Sequence, residues 1–295
     1  MNEKSVWLAK PLFILPAIVA LLAFSLLPSL ATMLISFTDW NLGQRGDISF
    51  IGLDNYHRLL ADPKIGQSLR NTALFIGVVV SVSFALALAV ALAICKVGRM
   101  GKLWQTVYFL PATASLVAIA VVWQWILHPE LGIVAYFLSL LGVTTKINWL
   151  NDGNIVLYTL AFITIWQMTG YYTVLFLTGL LQIPTDLYEA ARVDGASSGL
   201  ARFRHITWPL LAPTSLFVLV ITIIKTFQVF DLVRVLTRGG PANQSEVLLY
   251  TMFMEGFAFF RTGIAAAIAT FYLVSMLVLI LVLVKTINRR IHYGY

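Results

Sequence analysis

Apolar residues occur along the chain in six long stretches that are separated by shorter polar segments. A helix needs about 20 mainly apolar residues to cross about 30 Å of hydrocarbon. Because lipid offers the backbone no hydrogen-bond partner, each stretch must be helical. The pattern predicts an all-α membrane protein, a single domain of residues 1–295 with a core over about 72–285. Its transmembrane helices are expected at about Leu12–Ile35, Thr72–Cys95, Thr106–Leu127, Ile155–Leu181, Leu210–Val233 and Gly263–Lys285.

The first apolar stretch is too long to be a signal peptide. Lys4 and Lys10 precede it, as basic residues precede the apolar part of a signal peptide. That part is only about 7–15 residues long, and a small-residue cleavage site normally follows it. Leu12–Ile35 is longer, and no such site closes it. We therefore expect it to remain as the first transmembrane helix.

Composition agrees with a membrane protein and excludes several other classes. Hydrophobic residues make up 59% of the chain and charged residues 11%, against about 25% charged in soluble domains. The net charge of +7 is not arranged as a basic stripe with interleaved aromatic residues, which argues against a nucleic-acid partner. One cysteine and four scattered histidines predict neither an intrachain disulfide nor a metal site.

Basic residues indicate how the chain is oriented in the membrane. With the N-terminus inside, eleven lysines and arginines lie in inner segments and eight in outer ones. The clearest signal is the short segment Lys96–Trp104, which carries three basic residues and no acidic one. Because cytoplasmic loops are enriched in lysine and arginine, we expect both termini on the cytoplasmic side.

The connection between the fourth and fifth stretches, Gln182–Trp208, is longer than a helical bundle requires. Pro184 ends the preceding helix, and Thr185 or Asp186 can cap a new one. Its apolar face is expected to carry Leu187, Ala190, Ala191 and Val193, before Asp194-Gly195 ends the helix. From these residues alone, the segment is either a connector on the membrane surface or a rigid element that docks to a soluble partner.

Polar side chains at membrane depth are costly against lipid, so they indicate a transport path or a packing contact. The fourth stretch carries a group of them, namely Gln167, Thr169, Gly170, Tyr171 and Tyr172. The fifth carries Thr222, Lys225, Thr226, Gln228 and, near its outer end, Asp231. Amide, hydroxyl and aromatic groups suit a sugar, which presents hydroxyl edges and apolar faces. We expect a common cavity near mid-membrane, faced by Gln167, Tyr172, Thr222, Thr226 and Gln228.

Within the fifth stretch, Lys225 has more than one interpretation. Its helical face is predicted to include Thr222, Thr226 and Val229. Burying a lone ammonium group in the membrane costs at least about 2.5 kcal/mol. Six residues separate Lys225 from Asp231, which places the two on different helical faces. Lys225 is therefore expected to extend to the interface, to pair with another subunit, or to bind an anionic substrate.

Three ordered motifs resemble those of permeases from ATP-binding-cassette (ABC) importers. Tyr188-Glu189-Ala190-Ala191-Arg192-Val193-Asp194-Gly195-Ala196, followed by Ile206 and Trp208-Pro209-Leu210, resembles their EAA loop, although Trp208 stands where leucine is usual. Leu236-Thr237-Arg238-Gly239-Gly240-Pro241 resembles the segment that follows this loop in carbohydrate-type permeases. Phe50-Ile51-Gly52-Leu53-Asp54-Asn55-Tyr56 resembles their first outer loop. The resemblance covers nearly the whole chain.

The resemblance implies a membrane-spanning, non-catalytic transport subunit in the plasma (inner) membrane of a prokaryote. It implies a second homologous permease subunit, two cytoplasmic ATPase subunits, an extracytoplasmic solute-binding protein and a carbohydrate substrate. The residues that contact the ATPase would be Glu189, Ala190, Ala191, Asp194, Gly195 and Ala196 of the EAA loop, at about 182–208. The fourth and fifth spans would line the substrate path.

The chain contains no motif of its own for ATP hydrolysis. Gly98-Arg99-Met100-Gly101-Lys102-Leu103 has neither the glycine spacing nor the hydroxyl of a phosphate-binding loop. We therefore expect this chain to bind no cofactor, with ATP and Mg²⁺ held by the partner ATPase subunits. Importers of glycerol-phosphate or another polyol derivative are the alternative within the class. An ion-coupled secondary transporter or an intramembrane enzyme would need further ionisable residues at membrane depth.

Overall fold

The computed structural model describes residues 14–42, 48–143, 145–193 and 198–288. Within these ranges the backbone is helical apart from turns and one isolated bridge between Thr38 and Phe50. We number the helices in chain order: α1 Ile14–Ile35, α2 Asp54–Ala61, α3 Pro63–Lys96, α4 Gly101–Thr113, α5 Leu116–Ile126, α6 Ile133–Leu140, α7 Val156–Leu181, α8 Thr185–Val193, α9 Gly199–Arg202, α10 Trp208–Phe227, α11 Asp231–Leu236, α12 Leu248–Phe253 and α13 Thr262–Asn288.

Five continuous helical segments of the described chain are long and apolar enough to cross a membrane, and a bent pair of helices brings the number to six if that pair is one span. This confirms the predicted all-helical membrane fold. The third predicted span, Thr106–Leu127, is not one straight helix. It divides into α4 and α5, whose axes differ by 96°. Pro111 lacks a backbone donor and Ala114 adopts an extended conformation, so the helical hydrogen-bond ladder stops there.

Two other predicted spans differ in length from those observed. The second begins at Pro63, well before the predicted Thr72, because the polar turns Pro63–Arg70 continue the same helix. Before the fifth, the helical backbone starts at Gly199, and a π-helical turn at Phe203–Thr207 joins α9 to α10. The fifth helix ends at Phe227, so Gln228 and Val229 lie beyond it. Val229 therefore does not share a helical face with Thr222.

Contacts divide the chain into two compact units. The smaller unit comprises Met1–Gly66 and Thr251–Val274, as far as these residues are described. Its polar centre is the buried Asn55, whose side-chain amide donates to the carbonyl oxygens of Ser36 and Thr38 at 3.0 and 2.8 Å. The neighbouring Tyr56 hydroxyl lies 2.7 Å from the Ser36 hydroxyl. The motif of the first outer loop thus ties the start of α2 to the segment after α1.

The larger unit comprises Gln67–Tyr250 and Ser275–Tyr295, again as far as described. Its apolar core joins α3, α7 and α10 through buried side chains, including Ala87, Tyr172, Phe176, Leu211 and Val218. Helices α4 and α7 also pack closely against each other. A Cβ atom on Gly170 would overlap the carbonyl group of Tyr108, so the two backbones meet directly at this glycine.

The Gly-Gly-Pro motif forms a tight loop after α11. Gly239 has φ +83°, a conformation that favours glycine. Buried Ser245 closes the loop, with its hydroxyl 2.6 Å from the Gly240 carbonyl oxygen. The side-chain amide of Asn71 in α3 donates to the carbonyl oxygens of Asn243 and Glu246 at 3.0 and 2.9 Å. These contacts attach the loop to the N-terminal part of α3.

Candidate coupling helix and translocation path

The short helix α8 forms where the EAA-like sequence begins. Pro184 cannot donate to the preceding helix, and α7 has ended at Leu181. Asp186 stands in the first turn of α8 and Arg192 in the last, as the helix dipole favours. None of its residues is buried within this chain.

The predicted ATPase-contacting residues of α8 lie on its accessible surface. Glu189 and Ala190 are exposed and Ala191 is half-buried. The apolar side chains of Leu187 and Val193 are 42% and 88% exposed. Three further predicted residues, Asp194, Gly195 and Ala196, lie outside the described residues. An amphipathic helix with its apolar side chains uncovered is suited to a groove in another protein.

One side-chain contact links α8 to the fifth span. The Tyr188 hydroxyl lies 3.1 Å from the hydroxyl of Thr207, a buried residue of the π-helical turn that leads into α10. Since α10 continues from that turn, a displacement of α8 would act directly on the start of the span. This contact connects α8 to the start of the fifth span.

Most of the predicted path residues are buried between helices of this chain. Gln167, Thr169, Gly170 and Tyr172 of α7 are buried, as are Thr222 and Thr226 of α10. The hydroxyls of the three threonines donate to backbone carbonyls four residues earlier in their own helices, at 2.6–2.7 Å. These hydroxyls therefore do not need a cavity to be hydrogen-bonded.

The buried residues also join neighbouring spans. The Gln167 amide nitrogen lies 3.4 Å from the Ala114 carbonyl oxygen at the bend between α4 and α5. Tyr172 is almost fully buried and makes a side-chain hydrogen bond with Thr222. These contacts place Gln167, Tyr172 and Thr222 at the crossing of the third, fourth and fifth spans.

The remaining predicted path residues are accessible in the chain alone. Lys225 lies near the end of α10, Gln228 in the turn that follows, and Asp231 at the start of α11, all exposed. Tyr171 is half-buried beside Tyr172, with ring centroids 5.6 Å apart. Of the five residues expected to face one cavity, four are buried, and Gln228 is exposed beyond the helix end. That these residues face a common cavity in the assembled transporter stays a prediction.

An ion pair in the smaller unit, between buried Glu255 and exposed Arg261, was not predicted from the sequence. Glu255 is 4% exposed, and Arg261 donates from Nη2 to its Oε1 at 2.8 Å, with Nε 2.7 Å from Oε2. Burial raises the pKa of the Glu255 carboxyl, and Arg261 opposes this shift. The available signal was a lone acidic residue in the otherwise apolar segment Met252–Phe260.

Among the described residues, no three histidine, cysteine, aspartate or glutamate side chains lie close enough together to hold an ion.

The model of one protein family matches most of the chain. The family is described as the binding-protein-dependent transport system inner membrane component, and the match covers residues 81–293. The chain belongs to this family. The matched residues include α8, the fourth and fifth spans and the Gly-Gly-Pro loop. Membership makes the chain a multi-pass, non-catalytic permease subunit of an ABC transporter in the inner membrane. The resemblance inferred from the three motifs is confirmed.

Individual members of the family are similar over nearly their whole length. A probable ABC transporter permease protein of Pyrococcus horikoshii is 35% identical over 92% of this chain and 92% of its own. The sn-glycerol-3-phosphate transport system permease protein UgpA of Agrobacterium fabrum is 31% identical over 83% of each chain. A solved bacterial alginate ABC transporter, in complex with an alginate pentasaccharide-bound periplasmic protein, has a similar chain. That chain gives a TM-score of 0.86 and 25% identity, with 99% of this chain and 98% of that one covered.

Proposed function

We propose that this permease subunit imports a carbohydrate and that α8 couples its spans to cytoplasmic ATPase subunits. The observation that carries the coupling role is the surface of α8, which buries none of its residues and leaves Glu189, Leu187 and Val193 exposed. The contact between Tyr188 and Thr207 gives this surface a direct connection to α10. ATP and Mg²⁺ are bound by the ATPase subunits, which supply the hydrolysis that this chain lacks.

The proposed assembly contains a second homologous permease, two ATPase subunits and an extracytoplasmic solute-binding protein. The alginate transporter, which this chain resembles, was solved with a ligand-bound periplasmic protein. Helix α1 buries none of its apolar residues against the rest of this chain, so its surface is available to lipid or to a second permease. Both termini are placed in the cytoplasm, on the side where α8 meets the ATPase.

The carbohydrate assignment is supported by chemistry and by similarity. Tyr171 and Gln228 provide an aromatic ring and an amide on accessible parts of the fourth and fifth spans. The similar transporter is involved in the import of alginate, an acidic polysaccharide. Glycerol-phosphate is the second candidate, because Lys225 is exposed on α10 and UgpA is named for that solute.

The coupling role is tested by charge reversal at Glu189. In the assembled transporter, Glu189→Lys should leave subunit association intact and abolish uptake, because the reversed charge cannot make the proposed contact in the ATPase cleft. Asp186→Lys is the matched control, since Asp186 is an exposed acid on the same helix. It should retain most uptake, having lost only about 0.3–1 kcal/mol of interaction with the helix dipole. Uptake at the wild-type rate in an assembled Glu189→Lys complex would refute the coupling role.

A further inference from the structure

A cavity of about 780 Å³ lies where several helices of the larger unit end on one side. Lys96 is the last residue of α3 and Leu181 the last of α7, and both line it. Gly199, where α9 begins, forms another part of the wall. Its volume falls within the range of about 300–1,000 Å³ that is typical of ligand sites. The cavity therefore adjoins the inner end of the spans and is separate from the predicted substrate path.

Two kinds of side chain line this cavity. Most of the wall is apolar, with Leu92, Leu180, Leu200 and Phe203 among its residues. Two basic side chains, Lys96 and Arg202, also line it, and none of the described lining residues carries a carboxylate. A small soluble anion would contact only the two basic groups and would leave the apolar wall unused. A molecule with an anionic head and a hydrocarbon tail would contact both.

Anionic phospholipids have this chemistry. Lys96 is exposed and Arg202 half-buried, so both are accessible to a ligand at the membrane surface. Leu181 and Leu200 are 78% and 77% exposed, which provides an apolar route toward the bilayer. Basic pockets between membrane helices on the cytoplasmic side are known binding sites for anionic lipid headgroups.

We propose that this cavity binds an anionic phospholipid of the inner leaflet. Its phosphate is held by Lys96 and Arg202, and an acyl chain lies along the leucine-rich wall. Thr185 and Tyr188 of α8 line the same cavity, so bound lipid joins the coupling helix to the ends of α3 and α7. The choice of leaflet rests on the proposed orientation, but the binding chemistry does not.

The chain carries a natural reporter for this site. Cys95 is its only cysteine, lines the cavity and is exposed. We would reconstitute the full transporter in nanodiscs of phosphatidylcholine alone or with phosphatidylglycerol. Labelling of Cys95 by an uncharged maleimide is followed through the intact mass of this chain. Phosphatidylglycerol should slow the labelling severalfold.

Charge variants decide whether the protection requires the proposed contacts. Each basic residue near an anionic membrane surface contributes about fivefold in affinity. Lys96→Gln combined with Arg202→Gln should therefore restore rapid labelling in phosphatidylglycerol. Lys102→Gln removes an exposed lysine that does not line the cavity, and it should leave Cys95 protected. Equal labelling in the two lipids, or protection that survives the double substitution, would overturn the proposal.

Two further labelling experiments test for other occupants of the cavity. Protection by soluble glycerol-phosphate in phosphatidylcholine nanodiscs would show that the site takes a small anion, which contradicts a lipid site. Protection that depends on the ATPase subunits and not on the lipid would show that the ATPase covers the cavity, which also contradicts it. Because none of these readouts measures uptake, their failure is distinguishable from a failure of the proposed transport function.

Discussion

At the scale of single residues, Gly170 has the strictest steric requirement that we identify among the described spans. An added Cβ atom would meet the backbone of Tyr108, which cannot rotate away as a side chain can. Overpacking costs about 1–3 kcal/mol in ordinary cores, and we expect Gly170→Ala to reach at least the upper end. The measurement is the yield and melting midpoint of the purified protein.

Gly77 provides the control for this substitution. It lies exposed within α3, and a Cβ atom there would have no neighbour within 4 Å. Gly77→Ala should be neutral or slightly stabilising, because alanine is favoured over glycine in a helix by about 1 kcal/mol. Equal effects of the two substitutions would show that the backbone contact at Gly170 is unimportant.

Lys225 distinguishes the two candidate solutes. In an importer of a neutral carbohydrate, Lys225→Met should leave uptake close to the wild-type rate, because a neutral solute does not need the charge that this exposed lysine supplies near the end of α10. Uptake of a phosphorylated solute should instead fall sharply, since the ammonium would be a counter-charge. Lys285→Met is the control for the loss of a lysine. Lys285 is exposed in the last turn of α13 and is not one of the predicted path residues. A selective loss of phosphorylated solute would favour glycerol-phosphate.

At the scale of elements, the pair Glu255–Arg261 holds the segment between α12 and α13. Removing one partner of a buried ion pair costs about 3–5 kcal/mol. Because the Arg261 side chain is 51% exposed, we expect Arg261→Met to cost about 2 kcal/mol at neutral pH. The loss appears as a lower melting midpoint. Glu255→Gln/Arg261→Met should be less destabilised, because no buried charge is left unpaired.

The pH dependence of this variant follows from the raised pKa of Glu255. A carboxyl with a raised pKa in the folded state binds its proton more tightly there than when unfolded, so its ionised form costs stability as pH rises above the ordinary value of 4.5. Arg261→Met removes the main cation that opposes this rise, and the weaker effect of Lys64 remains. Its stability deficit should therefore shrink as the pH falls from 7 toward 5. A deficit that stays constant with pH would mean that Arg261 acts through packing alone.

At the scale of the whole molecule, the proposed topology makes a prediction about access. The single native cysteine permits a cysteine-free background, Cys95→Ser, into which new thiols are placed one at a time. Lys102 and Asp152 are exposed on opposite sides of the proposed membrane. An impermeant maleimide added outside intact cells should label Asp152→Cys and spare Lys102→Cys until the membrane is permeabilised. The reverse pattern would place both termini outside.

Local chemistry allowed much of this protein to be inferred from its sequence. Long apolar runs require helices, because lipid satisfies no backbone group, and five of the six predicted spans contain continuous helices. Pro184 and the acidic residue that follows it similarly allowed the start of α8 to be predicted. The EAA-like and Gly-Gly-Pro motifs identified the family, although Asp194, Gly195 and Ala196 themselves lie outside the described residues. These signals depend on neighbours in the sequence, so no knowledge of packing was needed.

Only the tertiary structure decided which polar side chains are buried. The sequence assigned Thr222 and Gln228 to the same predicted path, but Thr222 packs between spans and Gln228 lies exposed after a helix end. The 96° bend of the third span and the backbone contact at Gly170 also depend on where α4 and α7 cross. Residues distant in sequence, such as Lys96 and Arg202, come together around one cavity for the same reason. Periodicity specifies a helix and its apolar faces, whereas the neighbours of each face are set by packing against other helices.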